Sequence, residues 1–181
     1  MKAVLHVGER PLGRQMAAGP GRPDKIRLRL PKPRDYSFAL ALYLDGAETH
    51  LTKIGRWDRR RLTAQFRRGY RPSQVRIICA EGKDIGWMQV AELAGRLHLR
   101  QLHLLAPFRG NGIGTQLIGE VLKRGAALRK PVTLDVLHGN PARSLYLRLG
   151  FKQIGQDADK IQMIWRPPPR GEVSSPLVGE D

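Results

Sequence analysis

A glycine-rich turn between a predicted strand and a predicted helix constrains the fold of this chain more than any other stretch. An alternating apolar run over 96–105 leads into the sequence FRGNGIGT at 108–115, and a helical apolar pattern over 111–128 follows. The first amides of a helix have no intrahelical partner, and the helix dipole adds partial positive charge to them. Glycines keep side chains away and permit positive φ. The turn is therefore predicted to cradle a phosphate or pyrophosphate group.

Two common phosphate-binding loops do not fit this turn. A P-loop needs Lys followed by Ser or Thr after its last glycine, whereas Gly114 is followed by Thr115 and Gln116. A dinucleotide-binding turn needs the spacing G-x-G-x-x-G, which the glycines at 110, 112 and 114 do not have. A tight strand-to-helix turn that binds no ligand is the simpler alternative.

A second motif follows the next predicted strand. Residues 138–151 read HGNPARSLYLRLGF, in which Pro141 suits the first turn of a short helix and Asn140 can cap it. The chain resembles the GNAT superfamily of N-acetyltransferases, which use acetyl-CoA. The resemblance rests on the motif R-x-x-G-x-G, followed by a strand and then by the motif N-P-A-x-x-L-Y-x-x-L-G-F. The resemblance covers 25–166 and is strongest over 102–151.

The resemblance implies an α/β (α+β) fold of the GNAT type. Such a fold has a mixed, mostly antiparallel sheet of about six to seven strands flanked by helices, with a splayed parallel strand pair at the cofactor slot. We expect a flexible N-terminal extension at 1–24, an acetyltransferase domain at 25–166 and a disordered tail at 167–181. We place the extension and the tail outside the domain because their sequences lack sustained apolar periodicity.

A change of parity in the strand before the loop predicts a β-bulge. Leu97 and Leu99 share one parity, whereas Leu102 and Leu104 share the other. A period-2 pattern that slips by one residue indicates an extra residue near 100–101. In the GNAT family a bulge in this strand splays it from its parallel neighbour. Backbone amides freed near Leu104 would then serve as an oxyanion hole for the thioester carbonyl.

The remaining elements are predicted from periodicity and turn signals. Residues 25–30 alternate and predict a half-buried strand. Asp35 is predicted to cap a helix that ends near residue 44, and a loop then leads to a second helix capped by Asp58. Further strands are predicted at 75–80, 85–93 and 132–137, with a final strand pair within 151–165.

The resemblance also implies the chemistry. The acetyl group of acetyl-CoA would pass to a primary amine by direct attack in a ternary complex, and the acceptor would be a small amine, an amino acid or a peptide. Tyr146 aligns with the family tyrosine that acts as general acid toward the CoA sulfur; the alternative is a core tyrosine packed beneath Phe151. Asn140 aligns with the asparagine that contacts the cofactor arm. The implied cofactor contacts are Leu104, Leu105, Arg109, Gly110, Asn111, Gly112, Ile113, Gly114, Thr115, Asn140 and Tyr146.

The sequence does not identify the general base. Glu92, on a predicted middle strand, is the carboxylate that we propose, with Glu81 in the neighbouring turn as the next choice. His98 and His103 lie on the bulged strand, where histidines are more often structural than catalytic. Arg100 occupies a position where related sequences often carry an acidic residue, which excludes a carboxylate base there.

The charge of the chain favours an anionic partner. The net charge is +16 and the isoelectric point is near 11.0, which admits CoA, nucleic acid or a membrane surface as partners. The second helix has a strongly basic outward face, for which a solvated cationic surface is the simpler interpretation. One or two of its arginines would suit an acceptor carboxylate or phosphate, and a cationic pocket favours an acceptor that carries a negative group. These arginines are Arg59, Arg60, Arg61, Arg67, Arg68 and Arg71.

The remaining composition narrows the class of protein. Cys79 is the only cysteine, which excludes an internal disulfide and fits a reducing cytoplasm. No apolar run approaches the roughly 20 residues that span a bilayer, so we expect no membrane association. No Cys/His cluster has metal-ligand spacing, so we expect no metal. The alternatives to an enzyme are a basic nucleic-acid-binding module and a catalytically silent CoA-binding domain.

Overall fold

The computed structural model describes residue 23 and residues 25–169. The rest of the predicted N-terminal extension, and the predicted tail beyond 169, lie outside the described residues. No helix in the described part of the chain is long and apolar enough to cross a membrane. The helices are α1 (Asp35–Lys53), α2 (Arg59–Gly69), α3 (Ile113–Ala127) and α4 (Ala142–Arg148). The strands are β1 (Ile26–Arg29), β2 (Val75–Ala80), β3 (Lys83–Leu93), β4 (Arg96–Leu104), β5 (Val132–Leu137), β6 (Lys152–Gln156) and β7 (Lys160–Trp165).

The strands of the described residues form one 7-stranded sheet in the order β1-β2-β3-β4-β5-β7-β6. Every neighbouring pair is antiparallel except β4 and β5, which are parallel. The parallel pairing joins only Leu97–Leu99 of β4 to Val132–Leu134 of β5. Beyond Leu99 the two strands separate, which confirms the predicted mixed sheet with a splayed parallel pair.

A β-bulge on β4 causes this separation. Gln101 pairs with Gln89 of β3, whereas Leu99 pairs with the adjacent Val90, so Arg100 is the extra residue. A bulge shifts side-chain parity by one residue. The predicted bulge is therefore confirmed, and it directs both leucine pairs of the strand into one core cluster. The residues concerned are Leu97, Leu99, Leu102 and Leu104.

Two apolar cores lie on opposite faces of the sheet. Successive residues of a strand point to opposite faces. Ile78 and Met88 belong to the core that contains the buried residues of α3 and α4. Their neighbours Ile77 and Trp87 belong to the core that contains the buried residues of α1 and α2. The sheet therefore separates an α3/α4 face from an α1/α2 face.

The prediction of a half-buried first strand is wrong. Leu28 is 45% exposed and Leu30, just beyond β1, is 66% exposed. β1 is an edge strand that pairs only with β2 among the described strands. Alternation in a sequence shows which residues share a face, but it does not show whether another element covers that face.

Helix α1 also differs from its prediction. Asp35 is its first residue rather than its cap, and its carboxylate accepts hydrogen bonds from the Arg29 guanidinium at 2.7 and 2.9 Å and from the Lys32 amide at 2.6 Å. The Arg29 guanidinium lowers the pKa of Asp35 to about 2. The helix continues past residue 44 to Lys53, because Ala47 is fully buried in the α1/α2 core.

Candidate active site

The splayed end of β4 exposes backbone donors toward the gap between β4 and β5. The Leu105 amide donates to the Ile85 carbonyl at 2.8 Å. Hydrogen-bonded and non-hydrogen-bonded pairs alternate along an antiparallel ladder, so the amide of the preceding Leu104 points away from β3. The pairing with β5 ends at Leu99, so Leu104 does not pair with that strand. Its amide is therefore directed into the gap, whereas the amide of Leu105 is committed to β3.

A glycine on β3 permits this arrangement. A Cβ at Gly86 would lie 2.3 Å from the His103 carbonyl oxygen and 2.9 Å from a methyl group of Leu104. No larger residue fits there without moving the backbone of β4. Sequence reasoning missed Gly86, because a single glycine within a strand pattern carries no signal of what approaches it.

The glycine-rich turn leaves the start of α3 open. Gly110 and Gly112 have φ of 76° and 77°, in the left-handed region that favours glycine. Gly112 precedes the helix without a side-chain cap. The first hydrogen bond of the helix is donated by the Gln116 amide to the Gly112 carbonyl at 3.0 Å. The three helical amides that precede Gln116 therefore have no acceptor within the helix. These amides belong to Ile113, Gly114 and Thr115.

Arg109 anchors the turn to the rest of the protein. Its Nε donates to the Leu104 carbonyl at 2.8 Å, and its terminal nitrogen pairs with the carboxylate of Asp45 on α1. The Leu104 carbonyl therefore has a side-chain donor from the glycine-rich turn. Arg109, which the sequence predicts as a cofactor contact, therefore also makes two contacts within the protein.

Tyr146 is completely buried in the core of the α3/α4 face. Its ring lies 5.8 Å from that of Phe151 in an edge-to-face arrangement, which is the packing that the simpler alternative requires. Its hydroxyl, however, is buried and has no hydrogen-bond partner among the described residues. Burial raises the pKa of this hydroxyl above its ordinary value, so it stays protonated. A buried hydroxyl without a partner costs about 1–3 kcal/mol, which a bound acceptor atom would relieve.

Asn140 lies between β5 and α4. It is 4% exposed, and its Oδ1 accepts a hydrogen bond from the Ala142 amide at 2.9 Å. This contact satisfies one of the free amides at the start of α4, as predicted for a cap. Since α4 carries Tyr146, Asn140 holds the start of the helix that positions the tyrosine.

The structure places Glu92 away from the gap. Glu92 faces Leu97, at the end of β4 where β4 and β5 are still paired. Its carboxylate accepts hydrogen bonds from Arg124 at 2.6 Å and from Lys130 at 2.7 Å. The Lys130 ammonium, and then Arg124, lower the pKa of Glu92. This location and these partners argue against a role as general base.

The two histidines of β4 have structural contacts on the α1/α2 side of the sheet. Nδ1 of His98 lies 2.9 Å from the Thr133 hydroxyl, and burial lowers the pKa of His98. The ring of His103 stacks on Trp87 with centroids 5.1 Å apart. Its Nε2 lies 2.8 Å from Oε1 of Gln101. Both histidines are therefore part of the packing of this face.

A cavity of about 340 Å³ lies between the end of α1, helix α2, the end of β5 and the β6–β7 turn. Arg56 at its rim pairs with Asp159, and Asp58 caps α2 by accepting from the Arg61 amide at 2.9 Å. No carboxylate in the described part of the chain pairs with the Arg61 guanidinium. The apolar lining consists of Leu51, Ile54, Leu62 and Leu137.

Sequence reasoning missed this cavity because it depends on the unpredicted last turns of α1. Leu51 lies in those turns, and Ile54 follows them directly. Trp57, close to this cavity in sequence, packs against the α1/α2 core. Among the described residues, no group of three or more His, Cys, Asp or Glu is arranged to hold a metal ion.

Comparisons with known proteins agree with this geometry. The family model described as an acetyltransferase (GNAT) domain matches residues 72–153. No curated protein matches the sequence significantly. Among solved structures, the PaiA N-acetyltransferase from Thermoplasma acidophilum in complex with coenzyme A is similar, with a TM-score of 0.65 and 18% identity, covering 78% of this chain and 99% of that chain.

Two further structures show the same fold. The ribosomal-protein-S18-alanine N-acetyltransferase from Escherichia coli has a TM-score of 0.60 and 14% identity, covering 82% of this chain and 97% of its own. Ard1 from Thermoplasma volcanium has a TM-score of 0.58 and 18% identity, covering 80% of this chain and 99% of its own. At these identities the likeness establishes the fold. The family model thus matches residues 72–153, and the shared fold confirms the predicted GNAT-type fold.

Proposed function

We propose that this acetyltransferase uses acetyl-CoA and transfers the acetyl group to a primary amine by direct attack in a ternary complex. The observation that carries the proposal is the pairing of an uncapped helix start at Gly112 with the partnerless, buried hydroxyl of Tyr146. The first suits the pyrophosphate of CoA, and the second suits the sulfur. Both are associated with one core, because Ile113, the first residue of α3, and Tyr146 belong to the same cluster.

Each group of the chain has a defined role in this proposal. Acetyl-CoA supplies the acetyl group as a thioester. The Leu104 amide donates to the thioester oxygen as negative charge develops on it, which is most effective in a site closed to water. The Tyr146 hydroxyl gives its proton to the departing thiolate as general acid. Asn140 positions Tyr146 by capping α4, and it is proposed to contact the cofactor arm as well.

The attacking amine must be neutral, and its base is not assigned. Glu92 is not retained, since its ion pairs with Arg124 and Lys130 keep it anionic at the wrong end of β4. The single cysteine of the chain, Cys79, suits a reducing compartment, which supports the cytoplasm as the place of the reaction.

The 340 Å³ cavity is proposed to receive the acceptor. Its apolar lining suits an apolar group of the acceptor, and the Arg61 guanidinium suits a carboxylate because it presents a planar fork of donors. We therefore expect an amino acid or a peptide rather than a polycationic acceptor. Turnover of amino acids and short peptides should exceed that of aminoglycosides, and Arg61→Gln should raise KM for the preferred acceptor. Robust aminoglycoside turnover would contradict this acceptor class.

Thermal stability with and without acetyl-CoA tests the cofactor proposal first. At about 100 times its dissociation constant, a ligand adds about 2.7 kcal/mol to the free energy of unfolding. ATP and NAD at equal concentration and moderate salt are the controls for general polyanion binding. Stabilisation by acetyl-CoA alone supports the proposal, whereas equal stabilisation by all three compounds contradicts it.

A further inference from the structure

Helix α2 presents an outward surface made mainly of arginine. Arg59, Arg60, Arg67 and Arg68, which we call the arginine face, line one shallow depression. All four are exposed. Thr63 and Ala64 form the floor of the depression between the two pairs. The surface is therefore low in the centre and cationic at both ends.

The charge of the arginine face is not balanced within the described part of the chain. Other arginines there have carboxylate partners, as Arg124 has in Glu92. None of the ion pairs of the described residues includes a residue of the arginine face. The nearest acidic residue in sequence, Asp58, has a carboxylate oxygen 2.9 Å from the Arg61 amide as the helix cap.

The helix itself does not require this charge. Leu62 and Phe66 are its buried residues and attach it to the α1/α2 core. Its first turn contains no acidic residue, and Arg59 and Arg60 stand where the helix dipole disfavours cations. The first pair of arginines thus opposes the stability of α2, which points to a role outside the fold.

We propose that the arginine face docks onto the phosphate backbone of a nucleic acid. Arg59 and Arg67 are eight residues apart, which is about 12 Å along a helix. A single phosphate or carboxylate cannot reach both ends of such a surface, but a polyphosphate backbone can. Guanidinium groups bind phosphate through two parallel hydrogen bonds, and both pairs are arginine without lysine. The net charge of +16 adds long-range attraction.

The fold keeps this surface apart from the proposed acetyl-CoA site. Helix α2 packs on the α1/α2 face, whereas the start of α3 and Tyr146 belong to the core of the other face. A nucleic acid on the arginine face and acetyl-CoA at α3 therefore occupy opposite sides of the sheet. The inference does not rest on the proposed acetyl transfer, and the two ligands are expected to bind without competing.

Fluorescence anisotropy with the full chain tests the inference. The probes are a labelled single-stranded RNA and a labelled DNA duplex of about 20 units, titrated between about 50 and 200 mM salt. Each phosphate contact contributes a slope of about −0.7 for single strands and −0.9 for duplexes to log K against log salt. The variant R59Q/R60Q/R67Q/R68Q should reduce the slope by about 3 and weaken binding at low salt by at least tenfold.

The matched control removes equal charge from other exposed positions. The variant K25Q/R27Q/K83Q/R129Q carries the same net charge, and its four positions are exposed and lie outside α2. Its slope should change by less than about 1. The half variants R59Q/R60Q and R67Q/R68Q should each remove about half of the effect, which guards against misfolding of the fourfold variant.

Three results would overturn the inference. The first is an affinity weaker than about 100 μM for both probes at low salt, which is below ordinary non-specific binding. The second is an equal loss of slope in the control variant, which would assign the effect to net charge. The third is equally strong, α2-dependent binding of polyglutamate or of anionic vesicles, which would assign the surface to an acidic protein or a membrane. A loss of nucleic-acid binding with acetyl-CoA stabilisation intact would separate this result from the proposed function.

Discussion

Helices α2 and α3 begin in opposite ways, and the difference shows two means of building positive potential. Helix α2 starts behind Asp58, whose carboxylate closes the first turn by accepting from the Arg61 amide at 2.9 Å. Helix α3 starts behind Gly112, which has no side chain and leaves its first turn open. The potential at α3 comes from backbone amides, which cannot move. The potential at α2 comes from guanidinium groups on long, adaptable side chains.

The two starts suit ligands of different size. Fixed amides converge on one small anionic group, because their directions are set by the helix. Flexible guanidinium groups follow an extended anion whose shape varies. A capping side chain stabilises a helix by about 1 kcal/mol, and α3 forgoes this contribution. Its buried side compensates, since α3 contributes Ile113, Leu117 and Ile118 among other residues to a core.

The largest expected effect is on kcat, and it distinguishes the α3/α4 face of the sheet from the α1/α2 face. Tyr146→Phe should lower kcat by about 10²–10⁴, as the loss of a general acid does. Acetyl-CoA stabilisation should persist, because the phenol ring and the start of α3 remain. The measurement is thiol release from acetyl-CoA with the acceptor found in the screen.

Tyr43→Phe is the matched control for Tyr146→Phe. Tyr43 is 1% exposed in the α1/α2 core, its hydroxyl also lacks a partner among the described residues, and burial raises its pKa to about 12. It therefore shares the burial and unsatisfied hydroxyl of Tyr146 but lies in the other core. Similar losses of kcat in both variants would contradict a specific role for Tyr146.

The next effect comes from giving α3 the kind of start that α2 has. Gly112→Asp places a carboxylate at the uncapped turn, where it competes with an anionic ligand for the same amides. We expect the stabilisation by acetyl-CoA, about 2.7 kcal/mol at 100 times the dissociation constant, to disappear. The measurement is the thermal midpoint with and without acetyl-CoA.

Gly112→Asn is the control, because Asn has the size of Asp and also tolerates the left-handed conformation at φ of 77°. It lacks the negative charge, so it should retain more of the stabilisation by acetyl-CoA than the Asp variant. Equal losses in the two variants would show that bulk or backbone strain, rather than charge, governs binding at this turn.

A smaller effect tests the cap of α2. Asp58→Ala should lower the free energy of unfolding by about 1 kcal/mol, because the Arg61 amide loses its acceptor. In a domain of this size the thermal midpoint should fall by about 2–4 °C. Asp58→Asn keeps a capping oxygen and should recover most of the loss. Stabilisation by acetyl-CoA should be unchanged in both variants.

The smallest effect concerns the two ends of α2. Arg60→Glu should stabilise the protein by about 0.3–1 kcal/mol, because an anion near a helix start interacts favourably with the dipole. Arg68→Glu should destabilise it by a similar amount, since a cation is favoured near the helix end. Urea unfolding at low ionic strength measures both, and about 1 M salt should suppress the difference. The same sign for both variants would show that net repulsion, not the dipole, dominates.

Local patterns predicted the parts of the site that depend on local geometry. The leucine parity predicted the bulge at Arg100, because a period-2 pattern reports directly which side of a strand each residue faces. Glycine spacing predicted the left-handed turn at Gly110 and Gly112. Strands β2 and β5 were predicted with the bounds that the structure has, since both are apolar runs between clear turn signals.

Features that depend on distant parts of the chain were not predictable. Asp45 and Gly46 suggest a loop, yet both lie within α1, where Asp45 pairs with Arg109 from another element. Glu92 was predicted as the general base because it lies on a middle strand, but its partners Arg124 and Lys130 come from α3 and the residues that follow it. Propensity describes a segment alone, whereas these positions are decided by what packs against it.

The short parallel pairing between β4 and β5 has a mechanical consequence. Among the described residues, the parallel pairing of Leu97–Leu99 with Val132–Leu134, which we call the seam, is the ladder between the half-sheet of β1 to β4 and the half-sheet of β5 to β7. The seam is therefore where the two halves come apart with the fewest broken ladder bonds. A ligand that lies along the seam and bonds to both halves acts as a substitute strand. Its binding should make unfolding more cooperative as well as shift its midpoint.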